Sequence, residues 1–164
     1  MDSSQLLIHA LEKLCEAKVE FVVCGGVACV LHGCQRTTLD LDLNVSLAPD
    51  NLERLLAALK ILGLSPRVPV PMDSFLDPRQ RQQWIDTKGA LVFTVQSPDG
   101  LLQIDIFLVY PIAYSDLRAE AVTVQVKGST IAVSSVGHLI AAKDAIEFKR
   151  PKDLQDLIEL KAML

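Results

Sequence analysis

Hydrophobic and polar residues follow two rhythms along this chain, and the rhythms mark out its elements. Positions 39 to 45 read Leu-Asp-Leu-Asp-Leu-Asn-Val. Strict alternation predicts a strand, because successive side chains leave a strand on opposite faces. Asp40, Asp42 and Asn44 then share one face, with Leu39, Leu41 and Leu43 packed behind it. Glu20 to Cys24 predicts a short buried strand. Leu91 to Gln96 and Leu101 to Val109 predict a hairpin across Ser97-Pro98-Asp99-Gly100. Val122 to Lys127 and Thr130 to Val133 predict a second hairpin across Gly128-Ser129.

The slower rhythm, three to four residues, predicts helices. Residues 5 to 17 carry Leu7, Leu11, Leu14 and Cys15 on one face, with Ser3 or Ser4 as the cap. Val27 to Leu31 reads as helical after Gly25-Gly26. Asp50 caps a helix with Leu52, Leu55, Leu56, Leu59 and Leu62 inward, ended by Gly63. Val136 to Phe148, capped by Ser134 or Ser135, and Pro151 to Met163 form a last pair, Pro151 suiting a first helical turn. Between Leu64 and Gly89, prolines 66, 69, 71 and 78 favour loop, with a short helix around Arg79 to Trp84. The pattern predicts a single α/β domain over residues 1–164 with a mixed sheet. Residues 1–133 supply the sheet core with its helices, and residues 134–164 a C-terminal helical pair.

Composition narrows the class. Half of the 164 residues are hydrophobic, enough for a sizeable core, and the net charge of -4 argues against a protein that coats nucleic acid generally. Contact with RNA needs a local basic patch. Cysteines 15, 24, 29 and 34 and histidines 9, 32 and 138 do not have zinc-ligand spacing, so buried, reduced thiols are expected. The longest uncharged run, Phe21 to Gln35, is too short to span a bilayer, and no basic leader precedes it. A cytoplasmic protein without a membrane partner is expected.

Three aspartates then stand out. Asp40 and Asp42 alternate with leucines, and Asp105 lies between Ile104 and Ile106. Taking a carboxylate out of water without a partner costs several kcal/mol, roughly what a small domain has to spare. A divalent cation held by oxygen ligands is the simplest compensation. Acids two apart on a strand are rooted about 7 Å from each other. Their tips can converge with Asp105 on two cations roughly 3.5–4 Å apart, the arrangement used for in-line phosphoryl transfer. Gly25-Gly26, at a strand-to-helix turn, lets backbone approach a ligand, and the helix start suits a phosphate. The bland alternatives are an exposed edge strand for Asp40 and Asp42 and a purely steric turn for the glycines.

Together these residues resemble the nucleotidyltransferase superfamily that includes DNA polymerase beta. Its signature is a Gly-Gly or Gly-Ser turn, an Asp-x-Asp pair on the next strand and a third Asp on a later one. The string from Phe21 to Val45 resembles, more closely, small bacterial nucleotidyltransferase-like proteins related to abortive-infection toxins of toxin–antitoxin pairs. His138 to Lys143 and Arg150 to Leu157 are similar to that family's C-terminal lysine and Lys-Asp helix.

The resemblance implies a nucleotidyltransferase fold and a Mg²⁺-dependent (or Mn²⁺-dependent) transfer of a nucleoside monophosphate from an NTP. The acceptor would be an RNA 3′ end or a protein side chain, and an antitoxin a partner. Asp40 and Asp42 would bind both metals; Asp105 would bind the catalytic one and orient or deprotonate the acceptor hydroxyl. Gly25, Gly26 and Lys143 would hold phosphates. Arg36 is read as a phosphate contact or a partner of Asp40 or a backbone carbonyl, and Thr38 as a partner of the glycine turn or a strand former. Lys152 and Asp153 read as a first-turn cap and ion pair, and His32 as a packed or exposed helix residue. Phe75 and Trp84 read as loop anchors rather than a nucleobase platform. A separate helical domain to grip base or acceptor is not expected. The rival reading is a non-catalytic module that binds a nucleotide or protein partner on the same fold; a metal-dependent nuclease or phosphatase comes third.

Overall fold

The computed structural model describes residues 1–164. Seven strands form one mixed sheet: β1 (Phe21–Cys24), β2 (Asp40–Val45), β3 (Ser65–Pro66), β4 (Val92–Gln96), β5 (Gln103–Phe107), β6 (Val122–Val126) and β7 (Ser129–Val133), in the order β3-β4-β5-β2-β1-β7-β6. Seven α-helices flank it: α1 (Ser3–Glu16), α2 (Gly25–His32), α3 (Pro49–Ile61), α4 (Pro78–Lys88), α5 (Tyr114–Glu120), α6 (Val136–Asp144) and α7 (Pro151–Lys161). Both predicted hairpins are present, as the antiparallel pairs β4–β5 and β6–β7. No helix is long and apolar enough to cross a membrane.

Alternation decides what each sheet face does. On one face Phe21, Val23, Leu41, Leu43, Phe93, Val95, Ile104 and Ile106 join the main core, together with Leu11 and Leu14 of α1 and Leu52, Leu55, Leu56 and Leu59 of α3. Fully burying one such side chain stabilises the fold by about 1.5–3 kcal/mol. A one-residue slip would expose the whole set, so the register is strongly fixed. On the opposite face Val22, Cys24 and Leu117 form a smaller cluster against which Phe107 and Tyr110 pack. The three aspartates are on this second face.

β2 is central, between antiparallel β1 and parallel β5, so the edge-strand reading of Asp40 and Asp42 is corrected. Leu39 precedes the strand and is 61% exposed rather than packed behind it. Asn51, fully buried on α3, accepts from the Glu20 N–H and donates to the Glu20 and Ser46 carbonyls, tying the start of β1 to the end of β2.

Several boundaries differ from expectation for local reasons. Asp2, not Ser3 or Ser4, caps α1 in a reciprocal capping box with Gln5. Pro49 opens α3, which puts Asp50 inside the first turn rather than at the cap. Helix α2 begins at Gly25 rather than Val27, so the turn out of β1 is made by the helix's own first two residues. α4 extends four residues beyond Trp84 because Gly89, at φ +60°, supplies a left-handed cap. Helix α6 stops at Asp144, well short of Phe148. Helix α5 was not foreseen; its single buried residue, Leu117, leaves almost no apolar periodicity to read.

Candidate active site

Asp42 and Asp105 are Cα partners on the adjacent parallel strands β2 and β5, and Asp40 pairs with Gln103 two residues earlier. The carboxylates therefore lie on one face although Asp42 and Asp105 are 63 positions apart in sequence. Thr94, opposite Asp105 on β4, donates its hydroxyl to Asp105 Oδ1 at 2.6 Å. The Gln103 amide donates to both Asp105 oxygens at 3.3 and 3.4 Å. Asp105 is thereby held in one orientation by its neighbours, whereas Asp40 is exposed and Asp42 half-buried.

Electrostatics set Asp42 apart. Burial, then the charges of Asp105 and Asp40, push its carboxyl from the usual 3.8 up to about 7, against opposing pulls from the nearby Gly26 N–H and Lys143 ammonium. Asp40 is raised too, by burial and Asp105, with Lys152 and Arg67 opposing. The three carboxylates do not close to within 4.8 Å of one another; the trio of ligating side-chain atoms that does is Cys29, Cys34 and Asp156. Cys29 and Cys34 are in contact because Gly33 ends α2 in a Schellman turn, in which the Cys34 N–H reaches the Cys29 carbonyl at 2.9 Å. Both thiols are free and buried, and burial raises both pKa values.

The glycine turn is built against the acids. Cys24, the residue before it, pairs with Asp42 across β1 and β2. Gly25 adopts φ +62°, and a Cβ there would sit 2.0 Å from Asp42 Oδ2. Only glycine fits both the backbone conformation and the space. A Cβ on Gly26 would meet Thr38 Oγ1 at 2.9 Å and Arg36 Nη2 at 3.1 Å. Thr38 thus lies against the turn, with its hydroxyl 3.5 Å from the Asp40 carbonyl.

A cavity of about 520 Å³ opens over this face, and Gly25, Gly26, Arg36, Thr38, Asp40, Asp42, Asp105 and Lys143 all line it. Arg150 and Lys152, at the start of α7, line it as well. Three solved structures are similar in fold over nearly the whole chain. The solution structure of the antibiotic-resistance factor ANT(2'')-Ia is 17% identical with a TM-score of 0.57, over 99% of this chain and 85% of that one. The crystal structure of ANT(2'')-Ia in complex with adenylyl-2''-tobramycin is 18% identical with a TM-score of 0.59, over 98% and 89%. An antigenic nucleotidyltransferase-like protein from Paracoccidioides brasiliensis is 15% identical with a TM-score of 0.55, over 99% and 76%. The fold is that of the nucleotidyltransferases. No protein-family model and no curated protein matches the chain.

Within this nucleotidyltransferase fold, the last two helices contribute a buried ionic knot. Asp153 and Asp156 of α7 are almost completely buried, and Lys143 of α6 reaches them at 3.2 and 3.0 Å. Arg36 pairs with Asp156, not with Asp40, and its Nε also approaches the Thr37 carbonyl at 3.4 Å. Arg150 donates its backbone N–H and its guanidinium to Asp153, which closes the first turn of α7. Burial opposes ionisation of Asp153, yet the Arg150 and Lys143 hydrogen bonds outweigh it and hold this carboxyl well below the usual range. Lys143 is therefore neither a free phosphate finger nor a surface lysine: two carboxylates hold it at the cavity wall, and its pKa stays raised despite burial. Asp156 gave no separate signal in the sequence, since an acid at that helix position is ordinarily solvated.

Phe75 and Trp84 do not line the cavity. Both stack on Phe93, with ring centroids 4.8 and 5.4 Å away, and Arg81 crosses over Phe75 at 5.5 Å. The 64–89 segment is thus pinned to the reverse side of β4. His32 bonds the Ser134 carbonyl through Nε2 at 2.8 Å, a packing role.

Proposed function

We propose that this protein is a Mg²⁺-dependent nucleotidyltransferase that moves a nucleoside monophosphate from an NTP to a hydroxyl of an RNA or a protein. The observation that carries the reading is the in-register pair Asp42–Asp105, with Asp40 beside it, in one cavity with the Gly25–Gly26 turn. The donor set fits a hard divalent cation: three carboxylates, one destabilised by burial and by its neighbours' charge, have unmet demand for positive charge. Asp40, Asp42 and Asp105 would hold Mg²⁺ (Mn²⁺ substituting), which when bound supplies charge neutralisation on the phosphates and a more acidic acceptor hydroxyl.

The chain's own residues do the remaining work. The glycine turn admits phosphate oxygens to the start of α2, where backbone N–H groups and the helix dipole favour negative charge. Arg36, Lys143, Arg150 and Lys152 line the same side of the cavity; the first three are paired with Asp153 and Asp156, so that side keeps a net positive charge with Lys152 outside the ion pairs. Asp105, positioned by Thr94 and Gln103, orients the acceptor hydroxyl and takes its proton. The attacking oxygen displaces pyrophosphate in line. A cytoplasmic toxin with an antitoxin partner is one biological setting for this activity.

The test is label transfer from each α-labelled NTP, with Mg²⁺ or Mn²⁺, to total cellular RNA and protein. Transfer is expected with the native chain and lost with Asp42→Asn. Transfer insensitive to that change would eliminate the site. A melting temperature indifferent to NTP with Mg²⁺ would favour a module of other function, since a ligand specific to the native state must raise stability.

A further inference from the structure

Away from the cavity, the end of α2 meets α7 around two thiols. Cys29 of α2 and Cys34, just past the Gly33 turn, are both buried, as is Asp156 of α7. One ligating atom from each of the three lies within 4.8 Å of the other two, and none of the three lines the cavity of the aspartates. Glu159, three residues after Asp156 and so on the same face of α7, is half-buried and accepts from the Gln35 N–H through both oxygens at 3.3 Å, beside Cys34. Sequence spacing hides this set. The thiols supply only half of a four-ligand pattern, and carboxylates from the far end of the chain supply the other half.

The charges around the sulfurs are unbalanced in the same sense as those at the catalytic acids. Arg36 and Lys143 both approach Asp156 at Oδ2, which leaves Oδ1 outside those ion pairs. Burial, then the charges of Glu159 and Asp156, raise the Cys34 thiol. Burial, then Asp156, push Cys29 up to about 12, with Lys143 and Arg36 opposing. A bound cation reverses that balance, because a coordinating thiol is deprotonated outright.

We propose that Cys29, Cys34, Asp156 and Glu159 form a structural site for a thiophilic divalent cation, zinc before others, separate from the aspartate trio that suits Mg²⁺. Two sulfurs and two carboxylate oxygens complete a closed tetrahedral set, and thiolates select zinc over hard cations. Bonds of about 2.3 Å to sulfur and 2.0–2.2 Å to oxygen place neighbouring ligand atoms roughly 3.4–3.8 Å apart. The three gathered atoms reach that spacing by contracting about 1 Å, and Glu159 closes the fourth position. Binding conserves charge: two S–H bonds break, two sulfur–metal bonds form, the divalent ion enters and two protons leave to solvent. The ionic knot thus keeps its net charge, and Arg36 and Lys143 keep their partner. The ion clips the end of α2 to α7 and fixes Asp156, which holds both cations at the cavity wall.

The experiment loads the reduced, metal-free full chain with Zn²⁺ or Co²⁺ alone. One tightly held Zn²⁺ per chain and a higher melting temperature are expected, since an ion specific to the native state raises stability. Co²⁺ should give a thiolate-to-metal charge-transfer band, which carboxylate ligation cannot produce, and X-ray absorption of the Zn²⁺-loaded chain should count two sulfurs. These responses should persist in Asp42→Asn. Cys34→Ser should abolish the band and weaken Zn²⁺ about a hundredfold, and Glu159→Gln about tenfold. Absence of the cobalt band or of sulfur ligands in the native chain overturns the inference, whether or not the cysteine variant folds. A Zn²⁺ response that survives Cys34→Ser and disappears in Asp42→Asn also overturns it and assigns the ion to the aspartates.

Discussion

Asp42 and Asp105 stand side by side on two parallel strands, each the other's Cα partner, and burial, followed by the charges of Asp105 and Asp40, pushes the Asp42 carboxyl up to about 7. The pair is destabilising by itself, because like charges share a half-buried face. Beside it Gly25, at φ +62°, leaves no room for a side chain.

Asp42→Asn tests that cost. A carboxyl with a folded pKa of about 7 and an ordinary value of 3.8 holds its proton more tightly in the native state. Its contribution is favourable below pH 4 and is lost as pH rises through 7. The substitution should therefore raise the melting temperature of metal-free protein at pH 8, and do nothing at pH 3. After solvent screening, about 1–2 kcal/mol is expected, roughly 2–8 °C. Added Mg²⁺ should narrow the gap by stabilising the native chain. A lower melting temperature for the variant at pH 8 would contradict the electrostatic picture.

Gly25→Ala should be more damaging than Gly26→Ala. The first places a Cβ 2.0 Å from Asp42 Oδ2 at φ +62°; the second meets the movable ends of Thr38 and Arg36 at 2.9 and 3.1 Å. Left-handed backbone alone costs a non-glycine residue about 1–2 kcal/mol. Denaturant unfolding should show that loss or more for Gly25→Ala, and label transfer should fall further than stability does.

The knot between α6 and α7 carries its own pH signature. Asp153 has a depressed pKa, so its stabilisation is present above the ordinary carboxylate value and is lost as pH falls through the folded one. Asp153→Asn should destabilise at pH 7 by roughly 2–4 kcal/mol, with the difference closing in strong acid. Asp156→Asn, which strands Arg36 and leaves Lys143 with Asp153 alone, should cost about 3–5 kcal/mol. If urea unfolding shows neither loss, the ion pairs are not structural.

Trp84→Ala separates anchoring from ligand binding. The indole stacks on Phe93 with an interplanar angle of 8° and stays outside the cavity. The substitution should cost about 1–3 kcal/mol in unfolding and leave the KM for NTP unchanged. A KM shift with unaltered stability would contradict the anchoring role.

Much of this was legible in the residues, and the exceptions share a cause. The alternation at 39–45 predicted a strand with Asp40 and Asp42 on one face, and the structure has it, except that Leu39 falls outside. Both hairpins, the nucleotidyltransferase fold and the helical pair at 134–164 were expected, though α6 is shorter. Helix α5 escaped because one buried leucine makes no periodicity, and α4 was foreseen only in part because it buries nothing fully. Asp156 was passed over since its pairing with Arg36 joins residues 120 apart.

The sequence by itself determined which way side chains face, because strand and helix geometry is local and repeats every two or 3.6 residues. Only the tertiary structure decided that β2 lies between β1 and β5, that Asp105 stands opposite Asp42, and that Lys143 is held by two buried acids. Those pairings depend on contacts between distant segments, whose free energy comes from burying the shared apolar face and leaves no period in the chain.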